Sequence, residues 1–295
     1  MTYLPELLGL LTAFCYGTAD FLSRRQSQRV GYYRTTVYVY VATVAALLLL
    51  LPILRPPISL TALSSALMLV TGVVFFFAFV LLYRALEKGV VSVVAPIAYT
   101  YPAVTTILAV LLLGEVLTFR TALALAAIIV GVVLLSTKFS ELREALAGKG
   151  PAFLTVGVGS AVMAALAFGG VYLCVGYVTP IVGYFVPVLF LRAVGTVTGF
   201  GVAPIMKESV KPDRASLSGT VVAMGALEAV GFLSFSFAVS LGGGALPVVA
   251  ALSGMGAAVV IIYAMVFLHE RLEPNQLVGV MLSLVGVFAL LYLVG

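Results

Sequence analysis

Three ionisable residues lie within long apolar stretches of the chain, where an isolated charge is unfavourable. Glu228 sits in the run MGALEAVG, Arg192 in LFLRAVG, and Asp20 in YGTADFL. At the centre of a bilayer a charged side chain costs about 2.5–3.5 kcal/mol on insertion scales, so such residues mark either a charge pair or a functional site. These three residues are therefore the first candidates for chemistry.

Each of the three has a functional and a structural interpretation. Glu228 would contact a cationic substrate, carry a coupling proton, or be held by a fixed partner. Arg192 would bind a substrate carboxylate, pair with Glu228, or extend its head group towards a membrane surface. Asp20 is also a candidate binding residue, although its i,i+4 spacing to Arg24 favours an ion pair near the end of its helix.

The elements that position these residues are ten apolar segments, each close to the ~20 residues that span a bilayer. Hydrophobic residues make up 63% of the chain and charged residues only 9%, whereas soluble domains carry about 25% charge. We therefore expect an all-α integral membrane protein with ten transmembrane helices. The segments are Pro5–Leu22, Gly31–Pro52, Leu60–Tyr83, Gly89–Leu113, Leu117–Ser136, Pro151–Gly176, Pro180–Pro204, Ala215–Ser240, Gly243–Leu268 and Pro274–Val294.

The basic residues are distributed unevenly between alternate loops. The chain has 16 Lys and Arg, but they are scattered among loops and form no continuous surface for nucleic acid. Most of them fall in the loops after helices 1, 3, 5, 7 and 9, which we predict to be cytoplasmic, because Lys- and Arg-rich loops stay inside. The predicted location is the cell membrane. The two cysteines lie within spans and indicate no disulfide framework.

An internal repeat divides the chain into two halves of five spans. Residues 1–137 and 151–295 form the halves, and the polar stretch 138–150 is the predicted linker. Because five is odd, the halves enter the membrane in opposite directions, as in inverted-repeat transporters, and we expect them to surround a central cavity. A shift of 155 positions aligns Gly89 with Gly244, Glu115 with Glu270, and Gly131 with Gly286.

Proline and glycine interrupt the fourth and ninth spans at corresponding places. Pro96 and Pro102 flank a break in the fourth span, and Pro247 marks the ninth. Irregular backbone inside a membrane is tolerated only where protein or a cavity satisfies its freed polar groups, so matching breaks in both halves predict the binding site. The side chains predicted to line it, besides the three ionisable residues, are Tyr99, Tyr101, Ser253, Tyr16 and Phe232.

The remaining charges at helix ends have a structural interpretation. Glu115 and Glu270 each precede an apolar run, where a helix dipole favours negative charge, and we predict that they cap those helices. His269, the only histidine, would need other ligands to hold a metal. The sequence therefore predicts no metal and no cofactor.

Several short motifs resemble a known family. Tyr83 begins YRALEKG, Leu113 begins LGEVL, and Leu268 begins LHERL, while FCYGTADFL near the N-terminus has the aromatic–Gly pair that recurs at Phe168. In this order and spacing the motifs resemble the EamA-type repeat of the drug/metabolite transporter superfamily. The resemblance covers nearly the whole chain and implies ten helices in two inverted repeats that move small metabolites or drugs.

These observations favour a secondary transporter over the other classes. The chain lacks a nucleotide-binding motif, so a gradient or exchange would drive movement of small organic metabolites, such as amino acids or related compounds, by alternating access. Proton-coupled efflux of organic cations or drugs is the alternative, and a non-transporting receptor or assembly subunit is an alternative from another class. An intramembrane enzyme would need a Ser–His pair, facing Asp residues or clustered His at membrane depth. The expected partners are a small-molecule substrate, the lipid bilayer and coupling protons, without nucleic acid.

Overall fold

The computed structural model describes residues 3–88, 97–137, 139–147, 157–242, 245–268 and 273–294, and within these ranges it contains helices and no strands. This confirms the expected all-α fold. The helices are α1 (Leu4–Val30), α2 (Tyr32–Leu54), α3 (Ala62–Lys88), α4 (Tyr101–Leu113), α5 (Phe119–Ser136), α6 (Phe139–Leu146), α7 (Val158–Val182), α8 (Phe185–Val202), α9 (Gly219–Ser240), α10 (Ala245–Ser253), α11 (Gly256–Leu268) and α12 (Pro274–Val294).

Much of the bundle's outer surface is apolar, as a lipid environment requires. Within the described ranges, six segments are long and apolar enough to cross a membrane: α2, α3, α7, α8, α9 and the α10–α11 pair. The apolar helices α4, α5 and α12 are counted as shorter, while α1 has 27 residues but includes Glu6, Asp20 and three arginines. Large side chains such as Leu49 and Val197 are 72% and 74% exposed on the outside. The protein is therefore a multi-pass membrane protein.

The centre of the bundle is built from helices of both halves of the chain. Helix α1 packs against α9, α10 and α11, while α3 packs against α7 and α8, and α4 packs against α7 and α10. Helix α2 closes one side by packing on α8 and α9, and α5 packs along α12 beside this group. The predicted linker contains the short helix α6.

The fourth and ninth spans are each interrupted by a two-residue turn that contains no proline. Tyr99 and Thr100 form a turn before α4, and Gly254 and Met255 form a turn between α10 and α11. Pro102 occupies the first turn of α4, where its missing N–H leaves no hydrogen bond unmade. The prediction of a break at Pro247 is wrong, because α10 continues past it to the Gly254 turn. Pro96 lies outside the described residues.

The predicted capping role of Glu115 is also wrong. Helix α5 begins four residues later, at Phe119, and Thr118 is its N-cap, with a side chain that accepts a hydrogen bond from the backbone N–H of Thr121. A hydroxyl at this position satisfies one of the free N–H groups of the first turn, so no carboxylate is needed there. Glu270 and His269 lie outside the described residues.

The loop between α8 and α9, residues 203–218, is attached to the end of the bundle where α1 meets α2. The Arg34 guanidinium contacts the Asp213 carboxylate at 2.8 Å, and the Gln26 amide donates to the backbone carbonyl of Ala215 at 2.7 Å. The Tyr38 hydroxyl donates to the carbonyl of Val210. The loops after the first and seventh spans therefore lie at the same end of the molecule.

We predict that Gly169→Ala destabilises the protein and Gly170→Ala does not. A Cβ at Gly169 would lie 2.6 Å from the Val104 Cβ of α4, whereas one at Gly170 would meet nothing within 4 Å. Overpacking costs about 1–3 kcal/mol, while Ala in place of Gly in an open helical position gains up to ~1 kcal/mol. Thermal unfolding in detergent micelles should separate this adjacent pair. Equal melting temperatures for the two variants would contradict the close α4–α7 contact.

We predict that the attachment of the α8–α9 loop weakens in acid. The backbone N–H and hydroxyl of Ser216, followed by the Arg34 guanidinium, hold the pKa of Asp213 below its ordinary value. A carboxylate with a lowered pKa contributes fully above the ordinary value of about 3.9, and its contribution is lost as the pH falls through the lowered pKa. At neutral pH, Asp213→Asn should therefore increase amide hydrogen exchange in residues 209–216. Lys211→Gln, on the same exposed loop, is the control and should leave exchange unchanged.

Candidate functional site

An ion pair lies in the interior of the bundle, in the part of the chain that the structure describes. The Arg192 guanidinium of α8 donates to the Glu228 carboxylate of α9 at 2.6 Å, and the two side chains are 0% and 1% exposed. The alternative in which Arg192 extends to a membrane surface is therefore wrong. Two of its nitrogens, Nε and Nη1, have no hydrogen-bond partner, so the carboxylate satisfies only part of the guanidinium.

Aromatic rings provide the rest of the environment of Arg192. Its Cζ lies 4.5 Å from the centre of the Tyr40 ring, 4.7 Å from Phe75 and 4.6 Å from Phe79. The Phe232 ring is farther, at 5.7 Å. Cation–π attraction is significant within about 6 Å and is strongest where water is excluded. We call these four rings the aromatic box; together with Glu228 they hold the guanidinium in place.

The Asp20 carboxylate has a different partner from the one predicted. The Tyr99 hydroxyl donates to Asp20 at 2.6 Å, and the side chain is only 7% exposed. The ion pair predicted with Arg24 is not formed, because Asp20 faces the interior of the bundle rather than the basic end of α1. Among the described residues, the ion pairs are Arg34–Asp213 and Arg192–Glu228, so Asp20 has no cationic partner there.

The two helix breaks contact each other next to Asp20. The Tyr101 hydroxyl and the Ser253 hydroxyl are 2.8 Å apart, and Ser253 also donates to the backbone carbonyl of Ala250 at the end of α10. A Cβ on Gly254 would lie 2.8 Å from the Pro102 ring, so the glycine permits this close approach. The turn before α4 and the turn after α10 therefore form one contact, which positions Tyr99 towards α1.

A cavity opens between these elements, with about 360 Å³ of empty space when its open side is included. Asp20 and Glu228 both line it, whereas Arg192, Phe232 and Ser253 do not. The lining side chains are nearly fully buried, so the cavity lies deep among the helices, but it is only partly closed. It is lined by Tyr16 and Asp20 of α1, Phe79 and Leu82 of α3, Ala98 and Tyr99, Tyr101 of α4, Phe168 and Tyr172 of α7, and Glu228 of α9.

The predicted site residues thus separate into three groups. Tyr16, Asp20, Tyr99, Tyr101 and Glu228 line the cavity. The second group supports the wall: Arg192 and Phe232 lie in the aromatic box, and Ser253 holds Tyr101. The third group consists of Pro102 and Pro247, which do not line the cavity, and Pro96, which lies outside the described residues.

Tyr172 is the main cavity residue that the sequence did not indicate. Its ring stacks on Tyr101 with centroids 5.0 Å apart. It follows Phe168 by four residues on α7, as Asp20 follows Tyr16 on α1. Because residues four apart share a helix face, the aromatic–Gly pair of each half was the signal that would have identified it.

This arrangement suits small organic ligands better than metal chemistry. Six aromatic rings and two carboxylates line the cavity, and the described residues contain no group of three His, Cys, Asp or Glu side chains that would hold a metal ion. Aromatic faces attract ammonium groups and aromatic ligands, while buried carboxylates attract cations or protons. The cavity can therefore enclose a small solute that is partly apolar and partly charged.

We predict that Glu228→Met lowers stability strongly and that the double variant Arg192→Met, Glu228→Met recovers most of the loss. Removing one member of a buried ion pair leaves an uncompensated charge and costs about 3–5 kcal/mol, whereas replacing both with apolar residues is often neutral or stabilising. Thermal unfolding of purified protein in micelles would compare the three proteins. If the double variant is less stable than the single one, the pair does not form as described.

Three comparisons with known proteins agree with this architecture. The EamA-like transporter family matches residues 4–137. A relative from Methanocaldococcus jannaschii, Uncharacterized protein MJ1333.1, is 33% identical over 135 residues, which cover 44% of this chain and 94% of the relative.

The third comparison is with a solved crystal structure of another protein. It superposes with a TM-score of 0.75 and 17% sequence identity, and the match covers 97% of both chains. At this identity the likeness shows the fold alone. Family membership rests on the sequence matches, and the chain belongs to the EamA-like transporter family of the drug/metabolite transporter superfamily.

Proposed function

We propose that the protein is a secondary transporter that moves small organic metabolites across the cell membrane by alternating access. The observation that carries the proposal is the deep cavity, which is lined by charged and aromatic side chains from both halves of the chain. Amino acids and related compounds are one candidate substrate class, and organic cations exchanged for protons are the other.

Equivalent contacts in the two halves support an inverted repeat, which alternating access requires. A Cβ on Gly17 of α1 would lie 2.6 Å from the Val259 Cβ of α11, and one on Gly169 of α7 would lie 2.6 Å from the Val104 Cβ of α4. Val104 and Val259 are separated by the repeat offset of 155 positions. Each half thus packs the Gly of its aromatic–Gly pair against a valine of the other half, and the two valines occupy equivalent positions in the repeat.

The helix breaks follow the same offset. The turn at residues 99 and 100 corresponds to the turn at residues 254 and 255. Broken helices at matching positions are the usual place of a transport site. Because the two breaks contact each other through Tyr101 and Ser253, relative motion of the two halves would change the cavity directly.

The arrangement of loops supports the proposed orientation. The α8–α9 loop is attached to the α1–α2 end, and both carry basic residues, so this end would face the cytoplasm. At another contact, the Ser59 hydroxyl after α2 donates to the backbone carbonyl of Ile181 near the end of α7. These contacts would belong to the cytoplasmic and external gates, respectively.

We predict that Ala98→Trp abolishes transport by filling the cavity. Ala98 lines the cavity and is 3% exposed. The control is Leu111→Trp, which adds a similar side chain at an outward position that is 71% exposed. Purified protein in liposomes would be tested for uptake of labelled amino acids, amines and quaternary ammonium compounds, with and without a proton gradient.

The wild type and the Leu111 variant should move at least one solute, and the Ala98 variant should fall to the background of empty liposomes. Both variants should keep a wild-type melting temperature. Ligand binding without flux in the wild type would instead favour a receptor or an assembly subunit.

A further inference from the structure

The charges that face the cavity do not balance. Glu228 is neutralised by Arg192 at 2.6 Å, whereas the partner of Asp20 among the described residues is the neutral Tyr99 hydroxyl. A carboxylate buried in a membrane protein needs a compensating positive charge or a proton. Within the described part of the chain, the cavity therefore carries one carboxylate that has no cationic partner.

Arg192 is not available to a ligand in this state. Glu228 and Phe79 contact the guanidinium and also line the cavity, whereas Arg192 does not line it, so they lie between the guanidinium and the cavity. The remaining rings of the aromatic box, Tyr40, Phe75 and Phe232, surround it from other helices. A substrate carboxylate would therefore meet two acidic side chains in the cavity and no cationic one among its described lining residues.

Four aromatic rings of the cavity lining, from Phe79, Tyr101, Phe168 and Tyr172, form an aromatic wall. Tyr101 and Tyr172 stack with centroids 5.0 Å apart, and Phe79 meets Phe168 edge-on at 5.1 Å. Inorganic cations such as Ca²⁺ and Mg²⁺ require about six or more oxygen ligands, which this wall does not supply. Alkylated or primary ammonium groups bind well to aromatic faces when a carboxylate completes the site.

We propose that the Asp20 carboxylate, oriented by Tyr99, binds the ammonium group of an organic cation that has no carboxylate of its own. The apolar part of this cation packs against the aromatic wall. This proposal rests on the transport function and selects one of its two substrate classes. The Arg192–Glu228 pair serves as a fixed part of the cavity wall and is not the cation site. The ammonium ion replaces the missing positive charge beside Asp20.

Binding to purified protein in detergent would test the proposal with two matched ligand triplets. Choline, glycine betaine and 3,3-dimethylbutan-1-ol share a branched head but are cationic, zwitterionic and neutral. 2-Phenylethylamine, phenylalanine and 2-phenylethanol repeat the comparison with an aromatic group. Isothermal titration calorimetry should detect the cation of at least one triplet, bound more tightly than its zwitterionic and neutral counterparts.

Variants of Asp20 and Tyr99 then test whether the Asp20 carboxylate binds the ammonium group. Asp20→Asn keeps an oxygen that accepts from Tyr99 but removes the charge, and it should weaken cation binding by about 30-fold or more, as expected for a desolvated charge pair. Tyr99→Phe keeps the charge and should weaken binding less. Glu115→Gln, which removes a carboxylate from the loop between α4 and α5, is the control and should bind like the wild type.

Three results would overturn the proposal: no cation of either triplet binds, a zwitterion binds as tightly as its cation, or cation binding survives Asp20→Asn in folded protein. Flux measurements separate this failure from that of the proposed function. If a zwitterion or neutral solute crosses liposomes while cations do not bind, transport stands and the ammonium site is wrong. If cations bind through Asp20 but no solute crosses, the site stands and transport is wrong.

Discussion

The packing of the interior depends largely on one constraint: the buried Arg192 guanidinium needs partners that replace water. A buried guanidinium has to be paired, and here a single carboxylate and four aromatic rings meet that need. Tyr40 comes from α2, Phe75 and Phe79 from α3, and Glu228 and Phe232 from α9. One side chain on α8 thus fixes the relative positions of helices from both halves. A buried pair adds little net stability over apolar packing, but a broken pair is costly, so the pair disfavours other arrangements of these helices.

Because that pair is neutral overall, Asp20 determines the electrostatic character of the cavity. Its partner Tyr99 lies on the turn that interrupts the fourth span. The same turn leads into Tyr101, which reaches Ser253 at the interruption of the ninth span. The turn at residues 99 and 100 therefore links the Asp20 carboxylate to the Tyr101–Ser253 contact between the two halves. A ligand that changes the Asp20–Tyr99 hydrogen bond would act directly on the element through which the halves meet.

The sequence predicted the membrane fold from the length and composition of its apolar segments, and the family from the order and spacing of short motifs. It also identified Glu228, Arg192 and Asp20, since charge inside an apolar run is visible without coordinates. It could not assign their partners: the i,i+4 rule favoured Arg24 for Asp20, but a local rule does not include the Tyr99 hydroxyl 79 positions away. Pro247 was misleading because a proline in the first turn of a helix does not interrupt that helix. Tyr172 was missed because a tyrosine within an apolar span carries no charge signal.

The central claim is that Asp20 binds the cation while Glu228 only holds Arg192 in place. The affinity of the double variant Arg192→Met, Glu228→Met for ammonium compounds tests this claim most directly. The account predicts affinity within about twofold of the wild type, because the ion pair is neutral overall and its removal leaves the net charge beside the cavity unchanged, and it predicts loss of binding when Asp20→Asn is added in the same background. If removal of the ion pair alone abolished binding in folded protein, Glu228 would be the cation site and the account would be contradicted.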